Sequence, residues 1–320
     1  MKSRHLFFLA ACSLLGASCS NPVETTLKDK TYEKNFSFSF KSEVIPFSTK
    51  SAAGIPFFDI PDPTTKTDGV VDPPTPPNPT PSTLAAPKVI QKYLYSGETL
   101  LERGVILKEN GSFPSLKERF KEGSYKYIFV AHSQDTICFN NHTLTFEEVP
   151  DVFTGNIQFD IPAENNNSEQ ISLDRCIARI EIVSDTPTPE NVKSISIQTT
   201  NVLNTLDINT NCAVIPEGYI AEKNYLFSKQ ETTKNVIPND KPFSAGVNTF
   251  VLPSQEQPSL RISIVVTITY NDDKTISHTI SDINPIENKI IRYKGNIFSE
   301  DGSFSFIIND QWDETIERPI

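Results

Sequence analysis

Glycine is scarce in this chain, at 12 of 320 residues, whereas proline accounts for 24. Soluble domains average about 7% glycine and about 5% proline. The shortage excludes a collagen-like chain and glycine-rich linkers. Neither the GxxxxGK[ST] nor the GxGxxG pattern occurs, so phosphate loops and dinucleotide-binding turns have no support.

Cysteine is also rare, and its spacing excludes two kinds of site. The five cysteines are Cys12, Cys19, Cys138, Cys176 and Cys212. No CxxC or CxxH spacing occurs, so neither a zinc site nor a dense disulfide framework is indicated. Among the three later cysteines, one disulfide with one remaining thiol and a set of buried thiols both stay open.

Positive charge is in short supply: 29 Lys and Arg stand against 40 Asp and Glu, a formal net charge of −11. This balance argues against a nucleic-acid partner, which would need many phosphate contacts. Beyond the N-terminal segment no run of 18 apolar residues occurs, so no transmembrane helix is predicted. The hydrophobic fraction of 37%, with 21 phenylalanines, argues against wholesale disorder.

The N-terminus carries the features of a secretory signal. Lys2 and Arg4 give a positive start, and the stretch from Leu6 to Gly16 is apolar or small but too short to span a bilayer. Ala17 and Ser18 then precede Cys19. We therefore predict a lipoprotein signal peptide over 1–18, lipidation of Cys19 and a lipidated tether over 19–33.

A second cysteine offers an alternative lipidation site. Cys12 follows Leu9-Ala10-Ala11, which fits the usual lipobox better than the Gly16-Ala17-Ser18 that precedes Cys19. Cutting before Cys12 would leave about six or seven apolar residues, which is short for a signal of this type. Cys19 is the preferred site for that reason. Two or three acyl chains on one thiol and its amine would tether the protein to a membrane.

Alternation of apolar and polar residues predicts an all-β fold. Phe36, Phe38 and Phe40 alternate with polar residues, and the stretch 262–270 forms the cleanest alternation, followed by a turn at 271–274 and a returning strand. Strands at this density favour β-sandwich domains. Short helical patterns occur only at Leu116–Phe120 and Phe146–Phe153.

Residues 56–87 differ from the rest because they hold ten prolines in 32 positions. Proline lacks an N–H and favours polyproline II, so this stretch is predicted to be a disordered insertion within the first domain. A weaker break between 204 and 216 suggests a domain boundary near residue 213. The predicted domains are thus 34–213 and 214–320.

No constellation for catalysis, metal or cofactor is found. His132 lies near Ser133 and Asp135, but a hydrolytic triad is assembled across a fold rather than along one strand. The acidic turns at 272–273 and 300–302 lack the pattern of a calcium loop. The chain is therefore expected not to be an enzyme and to carry no cofactor, and Trp312 is expected to be a core or edge residue.

Several segments resemble Bacteroidales fimbrial proteins. The run 173–180, LDRCIARI, resembles an L-x-R-x-x-A-[KR]-[IV] strand of fimbrillins and their accessory subunits. Gly123 with Tyr125 to Ala131 is similar to the strand that precedes it. The segments 288–298 and 310–312 resemble the closing strand and the Trp-containing end of the minor-subunit branch.

This resemblance to the minor fimbrial subunit family implies a particular fold and function. It implies two tandem transthyretin-like β-sandwich domains that assemble with fimbrial stalk subunits by β-strand exchange, a form of β-augmentation. With the lipoprotein signal, it implies a lipid-anchored accessory subunit at the outer membrane that anchors or tips a fimbrium. The alternative is a surface lipoprotein adhesin that recognises a host glycan or protein.

Overall fold

The computed structural model of the protein describes residues 30–41, 85–134, 137–162, 167–215, 220–229, 235–238, 240–253, 260–302 and 304–309. Every regular element in these ranges is a β-strand, which confirms the predicted all-β class. Within them no helix is long and apolar enough to cross a membrane.

The described strands are 19 in number. They are β1 (Tyr32–Lys41), β2 (Val89–Ser96), β3 (Thr99–Leu107), β4 (Leu116–Phe120), β5 (Gly123–His132), β6 (Cys138–Asn140), β7 (Thr143–Thr145), β8 (Phe153–Ile161), β9 (Ser168–Arg175), β10 (Ile177–Pro187), β11 (Val192–Thr200), β12 (Thr205–Asp207), β13 (Cys212–Ala213), β14 (Glu222–Ser228), β15 (Pro242–Phe250), β16 (Ile262–Tyr270), β17 (Thr275–Ile283), β18 (Ile290–Gly295) and β19 (Phe304–Asn309).

The first sheet has seven strands in the order β3-β2-β5-β8-β9-β1-β4, and it folds back so that its two ends face each other. The rings of Phe36 on β1 and Tyr127 on β5 lie 5.3 Å apart, although two strands separate them in the sheet. In a flat sheet three strand spacings would be about 14 Å. β8 and β9 pair at only two positions, so the sheet bends there into two facing layers, β3-β2-β5-β8 and β9-β1-β4.

An aromatic core fills the space between these layers. Its buried residues come from both layers and include Phe36, Ile90, Phe120, Phe129, Phe159 and Leu173. A charged group is also enclosed: Lys92 on β2 pairs with Glu102 and Glu118, and the Tyr127 hydroxyl donates to Glu118. Burial alone would lower the pKa of Lys92, but its hydrogen bonds to both carboxylates outweigh that effect and raise it.

A second sandwich is built from two four-stranded sheets, β15-β10-β18-β19 and β14-β11-β16-β17. Alternate residues of β16 are buried, and the predicted hairpin is confirmed by the antiparallel pairing of β16 with β17. Asp273 in the turn adopts a φ of 62°, a conformation that Asp tolerates better than most residues. Two successive sandwiches fit the sequence expectation, and their transthyretin-like connectivity stays a prediction.

The change from the first sandwich to the second falls near residue 176, which differs from the predicted boundary at 213. β10 and β11 already pair with β15, β18, β14 and β16. The chain then returns, because β12 and β13 join β7 and β6 in a small sheet over the outer face of the first sandwich. The polar break at 204–216 thus marks this excursion. A further apolar cluster, with Tyr93, Phe146, Cys176 and Phe250, fills the junction.

Both short helix predictions were wrong. Leu116–Phe120 forms β4, whose inward positions are Leu116, Glu118 and Phe120. Because the inward residue Glu118 is charged, the alternation of apolar and polar residues that is typical of a strand is not visible in the sequence. The stretch from Phe146 to Val152 has no regular structure, and Phe146, Val149 and Val152 point into the junction cluster at a three-residue spacing that resembles a helix.

Candidate functional site

The first strand, β1, is the element that bears most directly on assembly. It lies between β9 and β4, with seven parallel residue pairs to β9 and five antiparallel pairs to β4. Ser37 and Ser39 add weak side-chain hydrogen bonds to carbonyl groups of β9, with O···O distances of 3.4 Å. The chain therefore fills this position of the first sandwich with its own strand.

Phe36 is the apolar anchor of β1, and its side chain is fully buried. Its ring lies 5.3 Å from Tyr127 and 5.4 Å from Phe159, and it also contacts Phe120 and Phe129. Edge-to-face aromatic pairs of this kind add about 0.5–1.5 kcal/mol each beyond area burial. Removing β1 would take this ring out of the core and expose the aromatic side chains that surround it.

Lys34 also fixes β1 although it is a cation in the interior. Its side chain is 2% exposed, and Nζ lies 3.0 Å from Glu169 on β9 and 5.1 Å from the ring centre of Phe159. A buried charge is tolerated when it is paired, and its partner becomes costly if the pair is broken. A replacement strand would have to supply an equivalent cation for Glu169.

The LDRCIARI segment that resembles a fimbrillin strand joins the two sandwiches. Leu173 is in the first core, and Arg175 makes a bidentate contact with buried Asp151, at 2.6 and 2.9 Å. The Arg175 guanidinium also lies 4.7 Å from the ring centre of Phe153. Cys176 alone separates β9 from β10, and its amide donates to Val152 at 3.1 Å.

The same segment continues into a buried charge network in the second sandwich. Arg179 contacts Glu181 at 2.7 Å and Asn248 at 3.0 Å, while Arg292 contacts the other oxygen of Glu181. Gly246 lies against the Arg179 guanidinium, so a Cβ at this position would collide with it. The residues that carry the resemblance are therefore structural contacts at the junction.

The described cysteines settle the open disulfide question. No disulfide links Cys138, Cys176 and Cys212. Cys138 on β6 and Cys212 on β13 lie on opposite edges of the small sheet, three strand spacings or about 14 Å apart. A disulfide requires Cα atoms within about 7 Å. Cys176 is buried, and that burial, followed by the charge of Glu287, raises the pKa of its thiol.

The residues considered for catalysis or metal binding take part in packing or in ion pairs. His132 is buried with its ring edge-on to Phe146, and Asp135 is outside the described residues. Asp273 pairs with Lys193, a contact that lowers the pKa of this carboxyl, and Glu300 pairs with Lys274. In the described ranges no group of three His, Cys, Asp or Glu side chains could hold a metal ion.

Three sequence predictions lie outside the described residues. These are lipidation of Cys19 or Cys12, the signal peptide and most of the tether, and the position of Trp312. Most of the proline-rich stretch 56–87 also lies outside them.

A cleft with a volume of about 480 Å³ lies beside the junction. Val202 and Tyr225 from the second sandwich and Glu147 and Glu148 from the loop after β7 line it. Burial, followed by the charge of Glu148, raises the pKa of Tyr225 to about 12. No sequence pattern predicts this cleft, because its walls come from segments that are distant in the sequence.

Comparison with known proteins gave similarity of structure only. No family model matches the chain, and no curated protein sequence matches it. Among solved structures, the fimbrial anchor protein Mfa2 of Porphyromonas gingivalis is 12% identical with a TM-score of 0.44, over 87% of this chain and 97% of Mfa2.

Two further structures show the same level of similarity. A candidate cell adhesion protein of Bacteroides uniformis is 13% identical with a TM-score of 0.46, over 71% of this chain and 92% of that one. A fimbrial assembly protein of Parabacteroides distasonis is 10% identical with a TM-score of 0.39, over 70% and 91%. These are the kinds of protein that the sequence resemblance names.

Proposed function

We propose that this protein is a lipid-anchored accessory subunit of a surface fimbrium, and that it ends the filament as its anchor. The observation that carries the proposal is the position of β1, which fills its own place in the first sandwich. Stalk subunits in the family that the sequence resembles are matured by a cleavage that opens this kind of groove. A subunit that keeps the strand gives an incoming donor strand no vacancy there.

The proposed lipid and the retained strand belong to the same short segment. Twelve residues lie between Cys19 and Tyr32, a reach of at most about 45 Å when fully extended. A lipid on Cys19 would therefore hold the first sandwich close to the outer membrane. Loss of the segment by cleavage would remove both the lipid and β1, so anchoring and strand retention go together.

The proposed partners are fimbrial stalk subunits and the outer membrane, reached through the lipid. The proposed role is structural rather than enzymatic, with no cofactor. Support comes from His132, which is buried against Phe146, and from the acidic turns, whose Asp273 and Glu300 pair with Lys193 and Lys274. The formal net charge of the chain, −11, fits a protein partner better than a nucleic acid.

Lipid labelling with matched cysteine variants tests the proposal. In the source bacterium grown with labelled palmitate, the wild-type chain and Cys12→Ser should carry the label, and Cys19→Ser should not. A deletion strain should lose its fimbriae or make filaments of abnormal length. Absence of label from the wild type, or a mature N-terminus beyond residue 41, would contradict the anchor proposal.

The junction cleft favours a second candidate, a surface adhesin. Its volume is within the range of small-ligand sites, and it combines the Tyr225 ring with carboxylates and the amides of Asn204 and Asn248. In this alternative, Tyr225→Ala would abolish adhesion while fimbriae stay normal in number and length. The anchor proposal expects this variant to leave both adhesion and fimbriae unchanged.

A further inference from the structure

The third strand, β3, is a long sheet edge with apolar side chains in solvent. Eight of its nine residues pair with β2 on one side, and in the part of the chain that the structure describes no strand pairs with the other. Leu101, Val105 and Leu107 are 51%, 56% and 60% exposed. Proteins usually protect such an edge, because unpaired backbone groups with exposed apolar residues recruit another strand.

The other described sheet edges are less suited to receive a strand. β4 has five residues, and its outward side chains are Lys117 and Arg119. The C-terminal end of β15 is already hydrogen-bonded to other parts of the chain. The amide of Phe250, its last residue, donates to Leu203, and the Ala213 amide donates to Val251, which follows it.

The edge strands of the sheet β14-β11-β16-β17, which are β14 and β17, also differ from β3. The end of β14 is bridged to Val236. β17 is as long as β3, but its exposed positions are Thr, Ser and Asp, as at Thr275, Ser277 and Asp282. β14 has seven residues and one large exposed apolar side chain, Leu226. Among edges whose side chains are described, only β3 combines nine residues with three such side chains.

The pairing with β2 defines which residues an added strand would meet. Arg103, Val105 and Leu107 share one face, opposite Tyr93, Gln91 and Val89. A bulge near Leu101 ends the regular ladder, so the regular run is Glu102–Leu107. An antiparallel strand would therefore place two apolar residues against Leu107 and Val105, and then an acidic residue against Arg103.

We propose that β3 is the docking edge for an extended segment of another protein chain with the pattern apolar-x-apolar-x-acidic. The proposal rests on the proposed function, in which β1 occupies its own groove and the filament partner must be held elsewhere. Backbone hydrogen bonds along Glu102–Leu107 would supply general affinity. Cross-strand contacts to Val105, Leu107 and Arg103 would select the sequence.

A synthetic peptide is the direct probe. Acetyl-Thr-Val-Thr-Val-Thr-Asp-Thr amide, labelled with fluorescein, is titrated with the full chain and followed by fluorescence anisotropy. Saturable binding is expected below 1 mM. Val105→Lys and Leu107→Lys should each weaken it at least tenfold, while Thr279→Lys on β17, the matched control, should leave it unchanged. Circular dichroism and thermal unfolding would check that each exposed-site variant is folded.

Charge reversal tests the register of the docked strand. Replacing Asp by Lys in the peptide should weaken binding about tenfold to the wild type, and Arg103→Glu should restore it. The proposal is overturned if the wild type fails to bind by 1 mM, or if Val105→Lys binds as tightly as the wild type. It is also overturned if the unbound wild type is a dimer that Val105→Lys makes monomeric, because a second copy would then occupy the edge.

This test separates the docking edge from the anchor proposal. If the peptide does not bind but Cys19→Ser still loses palmitate and fimbriae, the β3 assignment fails and the anchor stands. If the peptide binds with the expected variants but the wild type carries no palmitate, the edge stands and the lipid anchor fails.

Discussion

Truncating Phe36 to Ala should destabilise the first sandwich more than any other single change in β1. The ring is fully buried and contacts four aromatic side chains from both layers. Replacing a buried Phe by Ala costs about 3–5 kcal/mol in the free energy of unfolding. That is a large part of the 5–15 kcal/mol of a typical domain.

Urea unfolding followed by far-UV circular dichroism measures this cost. With a slope of about 2 kcal/mol per molar, a loss of 3 kcal/mol lowers the midpoint by about 1.5 M. Ser39→Ala on the same strand is the matched control, because its hydroxyl makes only a 3.4 Å contact to Ile171. It should shift the midpoint by less than about 0.5 M.

A small effect of Phe36→Ala would refute the reasoning. A midpoint within 0.5 M of the wild type would mean that β1 contributes little to the sheet in solution. The same conclusion would follow if protease removed residues 1–41 without lowering the midpoint. The proposal that the chain fills its own groove would then lose its basis.

Three other predictions concern the junction and the effect of alkali. Asp151→Ala should cost about 3–5 kcal/mol in urea unfolding, because it removes the bidentate carboxylate partner of the buried Arg175 charge, and the double variant with Arg175→Met should recover part of the loss. Gly246→Ala should cost about 1–3 kcal/mol by displacing Arg179, and an unchanged midpoint would contradict that packing. Burial, followed by its hydrogen bond to Glu118, raises the pKa of Tyr127 above 10, whereas the same tyrosine in the unfolded chain ionises near pH 10. Unfolding above about pH 10 therefore releases a proton, so the stability of the fold decreases as the pH rises. Tyr127→Phe should show a shallower fall in the thermal midpoint between pH 9 and 11, and equal slopes would refute this assignment.

The strand content could be predicted from sequence where one face of a strand meets the core. Phe36, Phe38 and Phe40 predicted β1, and the alternation over 262–270 predicted β16 and its hairpin. β4 was missed because Glu118 points inward, and the cation that makes this possible, Lys92, is distant in the sequence. A search for alternating apolar and polar residues assumes that the inner face of a strand is apolar. It therefore misses a strand whose inner face carries an ion pair to a strand that is distant in the sequence.

The junction was harder to predict for a related reason. A boundary was expected at the polar stretch 204–216, yet β10 and β11 had already entered the second sandwich. Loop composition indicates where the chain leaves a sheet but not which sheet it joins next. The charge network of Arg175 and Arg179 was visible only as a resemblance, because its partners, such as Asp151 and Asn248, are assigned by tertiary structure.

The parallel alignment of β1 with β9 has a mechanical consequence for a tethered subunit. Tension applied at the N-terminus pulls β1 along its own axis. The backbone hydrogen bonds to β9 and β4 are then loaded in shear and must break together. A strand peeled from one end would instead lose its hydrogen bonds one by one under a much smaller load. Because survival under load depends on the unfolding rate, this geometry suits the proposed role of a lipid-tethered anchor.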